Sequence, residues 1–264
     1  MHSSCLSLVL NALVIVLGAP ALFAEIRMDP ASYEVGGVTL KSVLVYDTDQ
    51  VGQRPGIVVF PEWWGLNDYP KSRARMLAGL GYVALVADVY GQGVNTDDPK
   101  KAGELAGAVY KDPAAMVARA QAALAALRNS GKADPAHLGA IGYCFGGSIA
   151  LHLARSGADL NAVVAFHAGL ANHLPPSTVA IKPAILVCNG AEDKMVGKDE
   201  YSQFMDEMRA RKAVWQLTLY SDALHAFTNP LADRHKELGI GYNQRADKRS
   251  WEDMRQFLKE NFGE

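Results

Sequence analysis

The chain has 264 residues, of which 49% are hydrophobic and 20% charged; this is ample material for a large core and excludes a disordered or collagen-like protein. Its 26 Lys and Arg against 28 Asp and Glu give a formal net charge of −2 without a basic block, which argues against a nucleic-acid partner. Three cysteines are too few for a disulfide framework.

Residues 1–24 contain no Asp, Glu, Lys or Arg, and an apolar run from Leu6 to Leu17 leads through Gly18 and Pro20 to Ala24. The pattern predicts a secretory signal peptide cleaved near Ala24, although its n-region offers only His2 and Leu22 stands at the −3 position. The alternative is a retained membrane anchor, since Leu6 to Phe23 is about long enough to span a bilayer. Pro20 and the polar Asn11 count against a durable span, and Cys5 precedes the apolar run, which counts against a lipoprotein. The expected location is periplasmic or secreted, with no stable membrane association after cleavage and one domain over residues 25–264.

Beyond residue 25, short β-rich runs recur at Ser42–Tyr46, Gly56–Phe60, Tyr82–Ala87, His137–Gly142, Ala162–Phe166, Ala184–Cys188 and Val214–Tyr220. Several are continuously apolar, as in strands covered on both faces of a parallel sheet. Helical patterns lie between them, from about Lys71 to Leu80, from Phe145 to Arg155 and from Gly197 to Arg211. Another begins at Asp112 as N-cap with Pro113 at the first helical position, and places Met116, Ala120, Leu124 and Leu127 on one face. The last carries Trp251, Met254, Phe257 and Leu258 at helical spacing. Strands alternating with helices predict a single α/β domain with a doubly wound, mostly parallel sheet.

The segment around Gly142-Tyr143-Cys144-Phe145-Gly146-Gly147 joins an apolar strand to a helix through a sharp turn. A free cysteine is ordinarily one more small buried residue. Here the strand–turn–helix context matches a nucleophile elbow, in which flanking glycines relieve crowding and the amide after the nucleophile, that of Phe145, serves an oxyanion hole. An elbow calls for an acid and then a histidine further along the chain. Asp193 follows the run Ala184–Cys188, and His225 follows Val214–Tyr220, both where ligand-facing loops of a parallel sheet collect. His225 would take the thiol proton and Asp193 would orient the ring. Asp222 and Glu192 are the rival acids, Asp222 standing too close in sequence to His225 to reach it from the correct side.

Taken together, Pro-Glu62-Trp-Trp-Gly-Leu-Asn, Ala-Asp88-Val-Tyr-Gly, Gly-Tyr-Cys144-Phe-Gly-Gly, the Asp193 loop and His225-Ala-Phe-Thr-Asn-Pro resemble the dienelactone hydrolase family, from about Tyr33 to Phe262. The resemblance implies an α/β-hydrolase fold with a Cys-His-Asp triad acting on small-molecule esters or lactones without a cofactor. It also implies that Glu62 contacts the resting thiol and that the Trp63 amide completes the oxyanion hole. The sequence departs from the family at the substrate end. Where dienelactone-specific members place an arginine four residues after the histidine, this chain has Asn229; Arg73, Lys101 and Arg234 are the candidate replacements. Trp63, Trp64, Tyr90 and Phe227 are candidates for an aromatic pocket lining, and Asn229 for the same substrate pocket.

No HExxH or CxxC spacing points to a metal, and Gly91-Gln-Gly93 lacks the context of a dinucleotide loop. His137, His152 and His167 fall on or beside core elements and read as structural. The competing functions are a non-catalytic binding module on the same fold and a thiol redox protein. A binding module needs no ordered triad, and a redox protein needs a resolving cysteine, for which only the apolar-flanked Cys188 is present.

Overall fold

The computed structural model describes residues 25–263, so the expected signal peptide lies outside the described residues. Eight strands form one sheet: β1 (Ile26–Val35), β2 (Val38–Asp47), β3 (Arg54–Phe60), β4 (Val83–Val86), β5 (Ala133–Tyr143), β6 (Ala162–Phe166), β7 (Ala184–Gly190) and β8 (Trp215–Tyr220). Their spatial order is β1-β2-β4-β3-β5-β6-β7-β8. β2 pairs antiparallel with β1 and with β4, and the remaining pairings are parallel. The continuously apolar runs are the buried strands: every residue of β4, β6 and β7 is buried.

Alternate residues of each strand feed two cores. Val58, Phe60 and Leu85 face one side, where α2 (Pro99–Tyr110), α3 (Pro113–Arg128), α4 (Phe145–Arg155) and α5 (Lys198–Ala210) contribute Val109, Leu127, Ile149 and Phe204. Ile57, Val59 and Val86 face the other, against Leu77 of α1 (Asp68–Gly79) and Met254, Phe257 and Leu258 of α6 (Gln244–Phe262). The architecture is thus a single doubly wound α/β-hydrolase domain.

β1 and α2 go beyond the sequence reading. β1 is an edge strand that contains Pro30 and alternates half-buried with exposed residues, so it lacks a buried strand's apolar run. It returns into β2 through Gly36 and Gly37, both at positive φ (57° and 77°), as a two-residue hairpin loop requires. α2 opens on Asp98, whose side chain accepts from Lys100 N–H at 2.9 Å, with Pro99 at its start. This is the same cap-and-proline device that marks α3.

Candidate active site

The site sits at the C-terminal end of the parallel strands, where β5 turns directly into α4. Cys144 is the single residue between them, and it holds φ 53° and ψ −118°, a conformation L-residues rarely adopt. Its N–H donates to Phe166 O of β6 at 2.9 Å, and its carbonyl accepts from Ser148 N–H at 3.2 Å. The turn is as tight as backbone allows. A Cβ on Gly142 would lie 2.1 Å from Gly146 O, and one on Gly146 would lie 2.3 Å from Phe60 O. The flanking glycines are therefore a steric requirement of the elbow.

Two further loops complete the constellation. Cys144 Sγ lies 2.9 Å from His225 Nε2, and His225 Nδ1 donates to Asp193 Oδ2 at 2.8 Å. Asp193 is buried in the loop after β7, and its Oδ1 accepts from Met195 N–H at 2.8 Å, which fixes the carboxylate plane. His225 follows β8 and is buried. Burial opposes a charged ring there, but Cys144 on one side and Asp193 on the other outweigh it and hold the His225 pKa well above its ordinary value. Burial pushes the neighbouring His167, whose ring lies edge-on 5.4 Å away, well below its own. Asp222 and Glu192 are exposed, and Asp222 pairs instead with Arg245 at 3.1 Å.

Glu62 follows β3 with its side chain buried. Its Oε2 accepts from Asn229 Nδ2 at 2.6 Å. Burial raises its pKa to about 7, against the opposing pull of Asn229, His225 and Arg73. The thiol contact expected of Glu62 is not made, because Asn229 engages its carboxylate and His225 engages the sulfur. The N–H groups of Trp63 and Phe145 have no acceptor among the described residues.

A cavity of about 250 Å³ opens over these groups. It is lined by Glu62, Cys144 and His225 together with the largely apolar wall of Trp63, Trp64, Ala106, Tyr110, Phe145, Met195, Val196, Ala226 and Ile240. Ser148 and Gly169 complete it, and no Lys or Arg is among the lining residues. Trp64 lies where the sequence reading expects it, stacked on His235 at 4.9 Å. Three other expected pocket residues are behind the wall. Phe227 is fully buried against His167 and Tyr220. Asn229 is turned to Glu62, since a short polar side chain at that place reaches the carboxylate and not the cavity. Tyr90 packs on Phe145 and donates to the Trp63 carbonyl at 2.8 Å.

The candidate substrate cations are also elsewhere. Arg73 is buried and pairs with Asp247 at 2.6 Å while donating to the Thr228 carbonyl. Lys101 pairs with Glu104 at 3.6 Å, and Arg234 is exposed. The structural histidines have partners that explain them: His137 bonds Asp134, His152 bonds the Ser148 carbonyl, and His167 bonds the Thr228 hydroxyl. Cys188 is fully buried, and burial pushes its thiol up to about 12. Tyr110, Met195 and Ile240 line the cavity unannounced by any motif, and only the fold brings them there.

Comparison with known proteins agrees with this fold. The model of the dienelactone hydrolase family matches residues 41–262. A solved structure named m3DLH is 44% identical and superposes with a TM-score of 0.87, covering 90% of this chain and 99% of its own. A dienelactone hydrolase-like promiscuous phosphotriesterase from metagenomic libraries is 40% identical with a TM-score of 0.86, covering 91% of this chain and 100% of its own. A protein of Methylorubrum extorquens named "Putative carboxymethylenebutenolidase" is 26% identical over 219 residues, 79% of this chain and 73% of that protein.

Proposed function

The chain belongs to the dienelactone hydrolase family, and from that premise we propose that it hydrolyses small uncharged carboxylic esters or lactones through a thioester on Cys144. The observation that carries this reading is the continuous contact from Cys144 through His225 to Asp193, at 2.9 and 2.8 Å, beneath a cavity of about 250 Å³.

The Cys144 thiolate attacks the substrate carbonyl carbon, and the carbonyl oxygen takes the negative charge. The Trp63 and Phe145 amides receive that oxyanion, the latter at the positive end of α4. When the tetrahedral intermediate collapses, the alkoxide leaves with the His225 proton and the acyl group stays on sulfur. Neutral His225 then takes a proton from water, whose oxygen attacks the thioester. The acid departs, and the thiolate–imidazolium pair is restored. Asp193 keeps the Nδ1 proton in place and balances the ring's charge throughout.

The absence of a lining Lys or Arg favours uncharged substrates, because a carboxylate in this cavity would meet apolar walls and the Glu62 carboxyl. The 40% identity to the phosphotriesterase favours one second activity, slow cleavage of neutral aryl phosphotriesters by the same thiol. A panel of esters, lactones and one aryl phosphotriester assayed against purified protein tests both. Turnover of none of them overturns the enzyme reading in favour of a binding module. For location we propose export directed by residues 1–24, supported by their uncharged apolar pattern.

A further inference from the structure

We propose that Tyr90 is the positioning residue of the oxyanion hole, one side chain that holds the Trp63 and Phe145 amides in register with Cys144. The proposal rests on the thioester reading above and deepens it.

The Trp63 N–H shares a rigid peptide plane with the Glu62 carbonyl, which accepts from Gly65 N–H at 3.0 Å and closes a turn over residues 62–65. In such a turn the middle peptide, here Trp63 C=O with Trp64 N–H, takes no part in the closing hydrogen bond and is the unit that rotates between turn types. Tyr90 Oη donates to Trp63 O at 2.8 Å and fixes that rotation. The next carbonyl, Trp64 O, accepts from Thr96 N–H at 3.0 Å, so the turn is moored at two points to the loop after β4.

The same Tyr90 ring stacks on Phe145, with centroids 5.8 Å apart and planes 19° from parallel, while Tyr110 meets the other edge of Phe145 at 5.2 Å. Phe145 directly follows the strained Cys144, so holding its ring resists relaxation of the elbow. Burial first, then the neighbouring Cys144 and Tyr110, push the Tyr90 phenol well up, so it remains a hydrogen-bond donor.

Tyr90 is itself set by Asp88. That carboxylate accepts from the N–H groups of Tyr90, Gly91, Gly93 and Lys41 at 3.0, 2.8, 2.7 and 2.9 Å. Arg119 donates to the Val89 carbonyl at 2.8 Å from outside. The Ala-Asp88-Val-Tyr-Gly segment thus has a physical purpose: Asp88 shapes the loop, and the loop aims Tyr90 at the Trp63 carbonyl and the Phe145 ring.

The test exploits a reaction that uses the thiolate but forms no oxyanion. Displacement of iodide from iodoacetamide by Cys144, followed at the Cys144 peptide by mass spectrometry, is compared with ester turnover in Tyr90→Phe and Tyr90→Leu. Loss of one oxyanion donor costs about 10²–10³-fold in kcat, so loss of a group that positions a donor should cost about tenfold or more in Tyr90→Phe, with KM within about threefold. Its alkylation rate should stay within about twofold of wild type. Tyr90→Leu, which also loses the stacking, should turn over ester more slowly still. Wild-type kcat in Tyr90→Phe overturns the proposal, as does a parallel fall in turnover and alkylation. Cys144→Ala in the same assay separates the two claims: if it keeps ester cleavage, the thioester reading fails whatever Tyr90 does.

Discussion

The Asn229 amide donates to the buried Glu62 carboxylate at 2.6 Å, and this contact holds a second ionisable group at the edge of the cavity with no hydrogen bond to the sulfur. The thiol is left to His225 at 2.9 Å before any substrate arrives. Cys144 and His225 are therefore in contact in the free protein, and the Glu62 carboxyl lines the same cavity.

That carboxyl has a consequence for stability. Burial raises the Glu62 pKa from 4.5 to about 7, so the folded protein holds this proton more tightly than the unfolded chain. Stability from this group is complete below the unfolded value and is lost as pH rises toward about 7, by up to on the order of 3 kcal/mol. Glu62→Gln keeps an acceptor for Asn229 and cannot ionise. Its melting temperature should match wild type near pH 4.5 and exceed it by about 5 °C or more at pH 8. A gap that does not widen across that range contradicts the buried-carboxyl account.

Substrate charge is the second handle. A buried charge-assisted contact is worth roughly 1.5–3 kcal/mol, about 10–150-fold. No Lys or Arg lines the cavity to supply one, and Arg73 is committed to Asp247. Neutral and carboxylated lactones should therefore differ by no more than about tenfold in kcat/KM, with any bias against the carboxylate growing above pH 7 as Glu62 ionises. A preference for the carboxylated lactone by about a hundredfold or more would mean that a cation enters the site.

The elbow's glycines offer a packing test. A Cβ at position 146 would meet Phe60 O at 2.3 Å and Pro61 O at 2.4 Å, and backbone cannot give way cheaply. Gly146→Ala should lose about 2 kcal/mol or more, read as a drop of about 5 °C in Tm. Gly107, inside α2 with open space at its Cβ position, is the control. Gly107→Ala should be neutral or stabilising by up to about 1 kcal/mol, as helix propensity dictates. Equal effects at the two positions would remove the steric argument for the elbow.

Export is checked at the N-terminus. Protein recovered from its native cells should begin near Glu25 by mass spectrometry, since residues 1–24 carry no charge and end on a small residue. Recovery of an intact Met1 in the membrane fraction would contradict cleavage and favour an anchor.

The elements legible in sequence were those whose burial leaves a local signature. β-rich runs marked β2 through β8, and the glycine-flanked Cys144 marked the elbow, because both features are dictated by neighbours close in the chain. β1 was hidden because an edge strand with one half-exposed face and Pro30 needs no apolar run. α2 was legible in principle, since Asp98-Pro99 repeats the signal of Asp112-Pro113. The pocket was the hardest part. Tyr90, Phe227 and Asn229 stand beside the site's motifs in sequence, yet whether each side chain enters the cavity or backs its wall depends on contacts with residues 27, 60 and 167 positions away. For Phe227 and Asn229 those partners, His167 and Glu62, stand on other strands' loops, which no local pattern encodes.

The central claim is that Cys144 is the nucleophile, and the most direct measurement is ester turnover by Cys144→Ala beside Cys144→Ser and wild type. Loss of a triad nucleophile lowers kcat by something on the order of 10⁴-fold or more, and that is the result expected for Cys144→Ala. Cys144→Ser should retain weak turnover above Cys144→Ala, because a hydroxyl needs fuller help from His225 than a thiol does. Iodoacetamide should abolish wild-type turnover in proportion to Cys144 modification, with buried Cys188 unmodified. Wild-type hydrolysis by Cys144→Ala of every ester and lactone the native protein cleaves would contradict the account outright.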